Sequence, residues 1–146
     1  MMIPVSLCGL RLNAPENWVF MSNGNSILAR TETQVGVLRI SSIDVENSAL
    51  LTVKRLEEMS RAFVSNETSS KPFDLKKPVS ENPLFGGASY RLKKGKRDFF
   101  TRCWYLYRDE KLALAAYGCP WRRRADDDTF QELHQCERMV MTIQPG

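Results

Sequence analysis

Apolar and polar positions along this chain change period three times, and each change predicts a change of element. Leu7–Leu12 reads as a short strand, closed by Asn13-Ala14-Pro15-Glu16-Asn17. Trp18–Met21 resumes an extended run, and Ser22-Asn23-Gly24-Asn25 carries the residues of a tight turn. Ser26–Thr31 and Val35–Ser41 are rich in β-branched and aliphatic residues and read as strands, joined by Glu32-Thr33-Gln34.

The period then becomes helical. From Asn47 or Ser48, either a fair N-cap, apolar residues fall at Ala49, Val53, Leu56, Met59 and Phe63, with charged residues on the opposite side. That stripe predicts an amphipathic helix ending near Ser65. Residues 66–83, polar and holding Pro72, Pro78 and Pro83, read as a mobile loop.

Alternation returns in Leu84–Leu92, a Lys93-Lys94-Gly95-Lys96 turn, and Arg97–Tyr107. A second turn at Arg108-Asp109-Glu110-Lys111 leads into Leu112–Cys119, and Pro120, with no N–H to donate, ends the ladder. A last helix begins among Asp126, Asp127, Asp128 and Thr129. Acids suit its N-terminal dipole, and Thr129 with Glu132 has capping-box spacing. Phe130, Leu133, Cys136, Val140 and Ile143 form its apolar stripe. Gly86-Gly87, ahead of a strand, suggests a bulge or bend. The order β-β-β-β-α-β-β-β-α, dominated by hairpins, predicts one domain over residues 1–146. Its class is α+β, a largely antiparallel sheet with helices packed on it.

The second hairpin allows a finer reading. With an even turn at 108–111, facing residues obey i + j = 219, which sets Trp104 opposite Ala115 and Leu106 opposite Ala113. Arg102 then faces Tyr117, and Cys103 and Cys119 point to opposite faces, so they cannot pair with each other. Both faces carry large apolar side chains, unlike a sheet with one solvated side. Either helices cover both faces, or a partner covers one. An aromatic face beside an arginine suits a protein interface. On that reading Arg102, Trp104, Leu106, Tyr117, Trp121 and Arg122 are the contact residues.

Charge narrows the classes of partner. Residues 91–124 hold eleven Lys and Arg against three acids, a net of +8, and since the chain totals +4 the remainder carries −4. Lys93, Lys94, Lys96 and Arg97 beside Phe99 and Phe100, with Arg122–Arg124 after Trp121, make nucleic acid the alternative partner. The run Lys-Gly-Lys-Arg-Asp-Phe-Phe departs from the aromatic strand motif of RNA-recognition domains. A second copy of the chain is a further candidate partner.

Catalytic chemistry is poorly served. His134 is the single histidine, on a helix among Gln135 and Glu137, where a surface role is the ordinary one. No phosphate loop, nucleophile elbow or H-E-x-x-H occurs, and Asp126-Asp127-Asp128 lacks a calcium-loop pattern. The four scattered cysteines lack zinc or redox spacing. A non-enzyme without metal or cofactor is expected. The N-terminal residues lack the pattern of an export signal and no apolar run has membrane-spanning length, so a cytoplasmic location is expected.

The opening strand, the turn Asn13-Ala14-Pro15-Glu16-Asn17-Trp18, then Gly36-Val37-Leu38-Arg39-Ile40-Ser41 and a helix resemble the start of small DcrB-like and PsbP-like domains. The later meander and a C-terminal helix ending Met139-Val140-Met141-Thr142-Ile143 fit the same outline. The resemblance implies an α/β/α sandwich with no catalytic residues to carry over. It also implies an accessory binder, as in Eag-type chaperones that hold type VI secretion effectors in the bacterial cytoplasm. Chaperone, adaptor and toxin-immunity roles all fit that outline.

Overall fold

A computed structural model describes residues 2–45, 51–64 and 71–145. The described elements run β1 (Met2–Leu7), β2 (Leu10–Pro15), β3 (Trp18–Asn23), β4 (Ser26–Thr31), β5 (Val37–Asp44) and α1 (Val53–Val64). They continue with β6 (Phe73–Lys76), β7 (Leu84–Lys94), β8 (Arg97–Arg108), β9 (Lys111–Pro120), a 3-10 turn (Trp121–Arg123), α2 (Asp127–Met141) and β10 (Gln144–Pro145). Seven strands form one sheet in the order β3-β4-β5-β9-β8-β7-β6, and β1-β2-β10 form a small second sheet. Every pairing is antiparallel.

The large sheet is covered on both faces by the chain itself. Trp104, Leu106, Tyr117, Phe100 and Cys119 share one core with Cys136, Met139 and Val140 of α2 and with Leu10, Leu12 and Ala14 of β2. Tyr105, Leu112 and Leu114 pack on the other face against Leu56 of α1. The result is an α/β/α sandwich, and of the two explanations for a two-faced apolar sheet the covering helices are the observed one.

The hairpins show how local chemistry sets register. Across β8 and β9 the observed pairs run from Arg108↔Lys111 to Phe99↔Pro120, each summing to 219, so the predicted facing partners are the real ones. Asp109 and Glu110 both take positive φ (50° and 63°), the conformation a two-residue hairpin turn requires. The same device at Cys8 (φ 51°) and Gly9 (φ 75°) corrects the first strand assignment: Leu7–Leu12 is not one strand, since the chain reverses at Cys8-Gly9 between the end of β1 and the start of β2. Cys8 is an unusual first turn residue, which hid the reversal.

Four other expectations need correction. The helix cap at Asn47 or Ser48, with Ala49, lies outside the described residues, and the described helix α1 starts after Thr52. There the Thr52 hydroxyl accepts the Arg55 N–H at 3.1 Å, as an N-cap does. The 66–83 loop contains edge strand β6, while residues 66–70 fall outside the described region. Gly86-Gly87 is neither bulge nor bend, since both pair in unbroken register with Tyr105 and Trp104. Their missing side chains leave room for those two rings on opposite faces. The irregularity sits on β6 instead, where Asp74 has φ 50° between Phe73 and Lys76.

The fourth correction concerns α2. Thr129 and Glu132 form no capping box; the cap position is Asp126, with Asp127 and Asp128 in the first turn. Thr129 is buried and donates to the Arg123 carbonyl at 2.6 Å, and Glu132 is buried as well. The inward stripe is therefore Thr129, Glu132, Cys136, Met139, Val140 and Ile143, which turns Phe130 out to solvent at 71% exposure.

One close approach makes a test. A Cβ on Gly36 would stand 2.5 Å from both the Gly118 carbonyl oxygen and the Tyr117 ring. Gly36→Ala is expected to lower unfolding stability by about 2–3 kcal/mol, read from the urea midpoint, because backbone cannot yield as a flexible side chain can.

Candidate protein-binding surface

A buried carboxylate fixes the geometry of the site. Glu132, 2% exposed, accepts at Oε2 from Val35 N–H (3.2 Å) and from the hydroxyls of Thr31 (3.2 Å) and Thr33. Its Oε1 accepts from Gly36 N–H (3.1 Å) and Tyr117 Oη (2.9 Å). Burial pushes the Tyr117 hydroxyl well above its ordinary range, with Glu132 adding to the shift, so it stays a donor. These bonds tie α2 to β9 and to the β4–β5 connection. With Thr129 on the Arg123 carbonyl, they hold both flanks of the Trp121–Arg123 turn.

At that turn the basic and aromatic residues converge. The guanidiniums of Arg91 and Arg124 sit 4.4 and 4.0 Å from the Trp121 ring centroid. Phe73 meets the ring edge-on at 6.2 Å and Phe100 lies 6.3 Å away. Arg91 forks onto Asp98 at 3.0 and 2.6 Å, and that hydrogen-bonded pair holds the Asp98 carboxyl below its usual range. Arg123 pairs with Asp126 at 2.9 Å.

Beside Trp121 an open depression of about 500 Å³ is floored by Phe99 and Pro120 and edged by Lys96, Arg97 and Arg122. The side chains of Lys94, Lys96, Arg97 and Arg122 are exposed and make no ion pair or hydrogen bond among the described residues. This end of the molecule therefore presents four unneutralised cations, Arg122 on the held turn and the other three on the neighbouring β7–β8 hairpin.

The other predicted contacts lie elsewhere. Trp104, Leu106 and Tyr117 are 1%, 2% and 0% exposed, so their assignment as contact residues is corrected: α2 and the small sheet cover them. Trp104 Nε1 donates to Glu137 at 3.2 Å. Arg102 reaches inward to Ser89 Oγ (3.0 Å) and the Asp74 carbonyl, and burial lowers its pKa. It forms the floor of a groove of about 250 Å³ between α2 and β6, lined also by Phe100, Phe130, Leu133 and His134. Phe100 belongs both to this groove and to the ring cluster around Trp121, so groove and basic turn are neighbours. Trp121 and Arg122 are thus the predicted residues that reach the surface together; Phe130 joins them and was missed.

Among the described residues no three His, Cys, Asp or Glu side chains are placed to hold a metal ion, and His134 is exposed. Cys103, Cys119 and Cys136 are buried and Cys8 exposed, all as free thiols. Burial raises the three buried thiols, Cys119 to about 11. A disulfide reagent should therefore label Cys8 rapidly and the other three only on unfolding, counted by intact mass.

No protein-family model and no curated protein matches the chain. Solved structures do. A Bacteroides thetaiotaomicron protein superposes with TM-score 0.60 at 13% identity, over 94% of this chain and 45% of its own. The chain thus spans less than half of that protein. Cyanobacterial PsbP (CyanoP) from Synechocystis gives TM-score 0.61 at 13% identity, covering 99% of this chain and 92% of that one. LpqN, involved in cell envelope biogenesis of Mycobacterium tuberculosis, gives 0.54 at 9% identity, covering 99% and 90%. The chain has a PsbP-like fold, and no helix among its described residues is long and apolar enough to cross a membrane.

Proposed function

We propose that this chain is a non-catalytic module that binds another protein, as a bacterial cytosolic chaperone, adaptor or immunity protein for a secreted effector or toxin. The observation that carries the binding reading is the held Trp121–Arg123 turn, with Lys96, Arg97 and Arg122 unneutralised around a depression floored by Phe99 and Pro120, and Lys94 exposed on the adjoining hairpin. Such a surface suits an acidic segment that also offers an apolar side chain to the Phe130 groove. Complementary charge speeds encounter and selects partners, and an aromatic anchor holds the complex. Chaperone, adaptor and immunity roles stand together in this reading, since each needs only a complementary surface.

Nucleic acid fits the same charge less well. Single-strand binders offer free aromatic faces for base stacking, whereas Trp121 already carries two guanidiniums. The test is an affinity pull-down of the tagged chain from its host after nuclease treatment, with mass spectrometry. One stoichiometric, acidic protein is expected. Retention that disappears with nuclease would transfer the surface to nucleic acid.

A further inference from the structure

The basic depression beside Trp121 has a neighbour. A second open depression of about 360 Å³ adjoins it, and the two share Phe99 and Pro120. The far wall of the second comes from Val37 at the start of β5 and from Arg30 on β4. Gly118 lies between. A Cβ on Gly118 would meet nothing nearer than 3.8 Å, so the missing side chain leaves this space open.

The pairing registers set cations of both depressions on one face. Ala29, Leu38, Tyr117 and Arg102 stand in one row across β4, β5, β9 and β8, on the side of α2. Side chains alternate along a strand, so Arg30, Val37, Phe99 and Arg97 turn to the opposite face. Arg30 is exposed, and its guanidinium makes no ion pair or hydrogen bond among the described residues. No acid lines the second depression, and the one acid of the first, Asp98, is held by Arg91. Both depressions therefore keep their positive charge.

We propose that the two depressions act as one groove for an extended acidic segment of the partner, with carboxylates at both ends and an apolar side chain between them over Phe99 and Pro120. The inference rests on the protein-binding reading and adds Arg30 as the far anchor. Three strand spacings of about 4.8 Å and four residues of about 3.3 Å separate Arg30 from Arg97, so their backbones lie about 20 Å apart. An extended chain crosses that distance in about six residues. Carboxylates at that interval complement the cations at each end. A nucleic-acid strand fits less well. It stacks on a succession of free rings, whereas the groove offers Phe99 and a Trp121 that already carries two guanidiniums.

The probe is a fluorescein-labelled peptide, Glu-Glu-Gly-Leu-Gly-Glu-Glu, titrated by polarisation against the full chain at low salt. Its control, Glu-Glu-Glu-Glu-Gly-Gly-Leu, has the same composition with the acids gathered at one end. Saturable binding of the first peptide is expected, with the control about fivefold weaker. Arg30→Glu should weaken the first peptide about fivefold, as loss and reversal of one exposed charge pair does, and leave the control unchanged. Gly118→Glu, which sets an acid where a side chain has room, should weaken the first peptide about tenfold and keep the wild-type unfolding midpoint. If Lys96→Glu/Arg97→Glu/Arg122→Glu loses the peptide and Arg30→Glu does not, the groove ends at Phe99: the inference falls and the basic-turn reading stands. Equal affinity for the two peptides, no saturable binding by the wild type, or tighter binding of a thymidine heptamer at the same salt would each overturn the inference. The pull-down decides the underlying reading separately.

Discussion

Glu132→Ala is expected to remove about 3–5 kcal/mol of folding stability, a large share of what a domain of this size possesses. The carboxylate receives five donors, and its loss would strand the buried N–H groups of Val35 and Gly36 and the Tyr117 hydroxyl together. A buried donor left without a partner costs about 1–3 kcal/mol, whereas the exposed Thr33 can turn to water. Glu132→Gln keeps one acceptor oxygen and the side-chain volume, so a loss of about 1–2 kcal/mol is expected. Urea denaturation of both variants checks the order. Equal stability of wild type and Glu132→Ala would show that the network is not what ties α2 to the sheet.

The second large effect is on binding. Reversing Lys96, Arg97 and Arg122 to glutamate should weaken the partner complex by about 100-fold or more at low salt, mostly by slowing association and opposing like charges. Folding stability should change by less than about 0.5 kcal/mol, because these side chains are exposed and unpaired. Phe130→Ala should raise dissociation instead, as loss of an anchor does. Stopped-flow measurement with the captured partner separates the two.

Alkaline conditions probe the core. Cys119 is raised to about 11 and Tyr105 to about 12, chiefly by burial. Raised folded values favour the protonated, neutral forms, so their contribution is complete below the unfolded values of about 8.5 and 10. It fades as pH climbs toward the folded values. Urea midpoints should therefore fall between about pH 9 and pH 11.5, from ionisation of the unfolded chain.

How much was legible in the sequence depends on the range of the interactions. The β8–β9 hairpin could be read to the residue, because an even polar turn between alternating strands leaves one register, whereas β7 runs two residues further than its turn residues suggested, to Lys94. Strand β6 could not, since prolines at 72 and 78 and the positive φ of Asp74 erase its alternation. Nor could the role of Glu132. Four of its five donors lie 96 to 101 residues upstream, and a glutamate three places after a threonine looks like a cap. That single misreading rotated the α2 stripe, hid Phe130 and made Phe130 a core residue. Trp104, Leu106 and Tyr117 were placed correctly on one face, but register alone does not say whether a helix of the same chain or a partner covers it. Trp121 and Arg122 were legible because a tryptophan followed by three arginines after a strand-ending proline belongs at a surface corner.

The most direct test of the protein-binding account compares what the wild-type chain and the Lys96→Glu/Arg97→Glu/Arg122→Glu variant retain from nuclease-treated host lysate, side by side and across salt. The account predicts one acidic protein held in stoichiometric amount by the wild type, released as salt rises, and absent from the variant while the variant's unfolding curve is unchanged. Equal retention by both chains would place the partner on another surface, and retention of nucleic acid from untreated lysate with no protein held after nuclease would contradict the account.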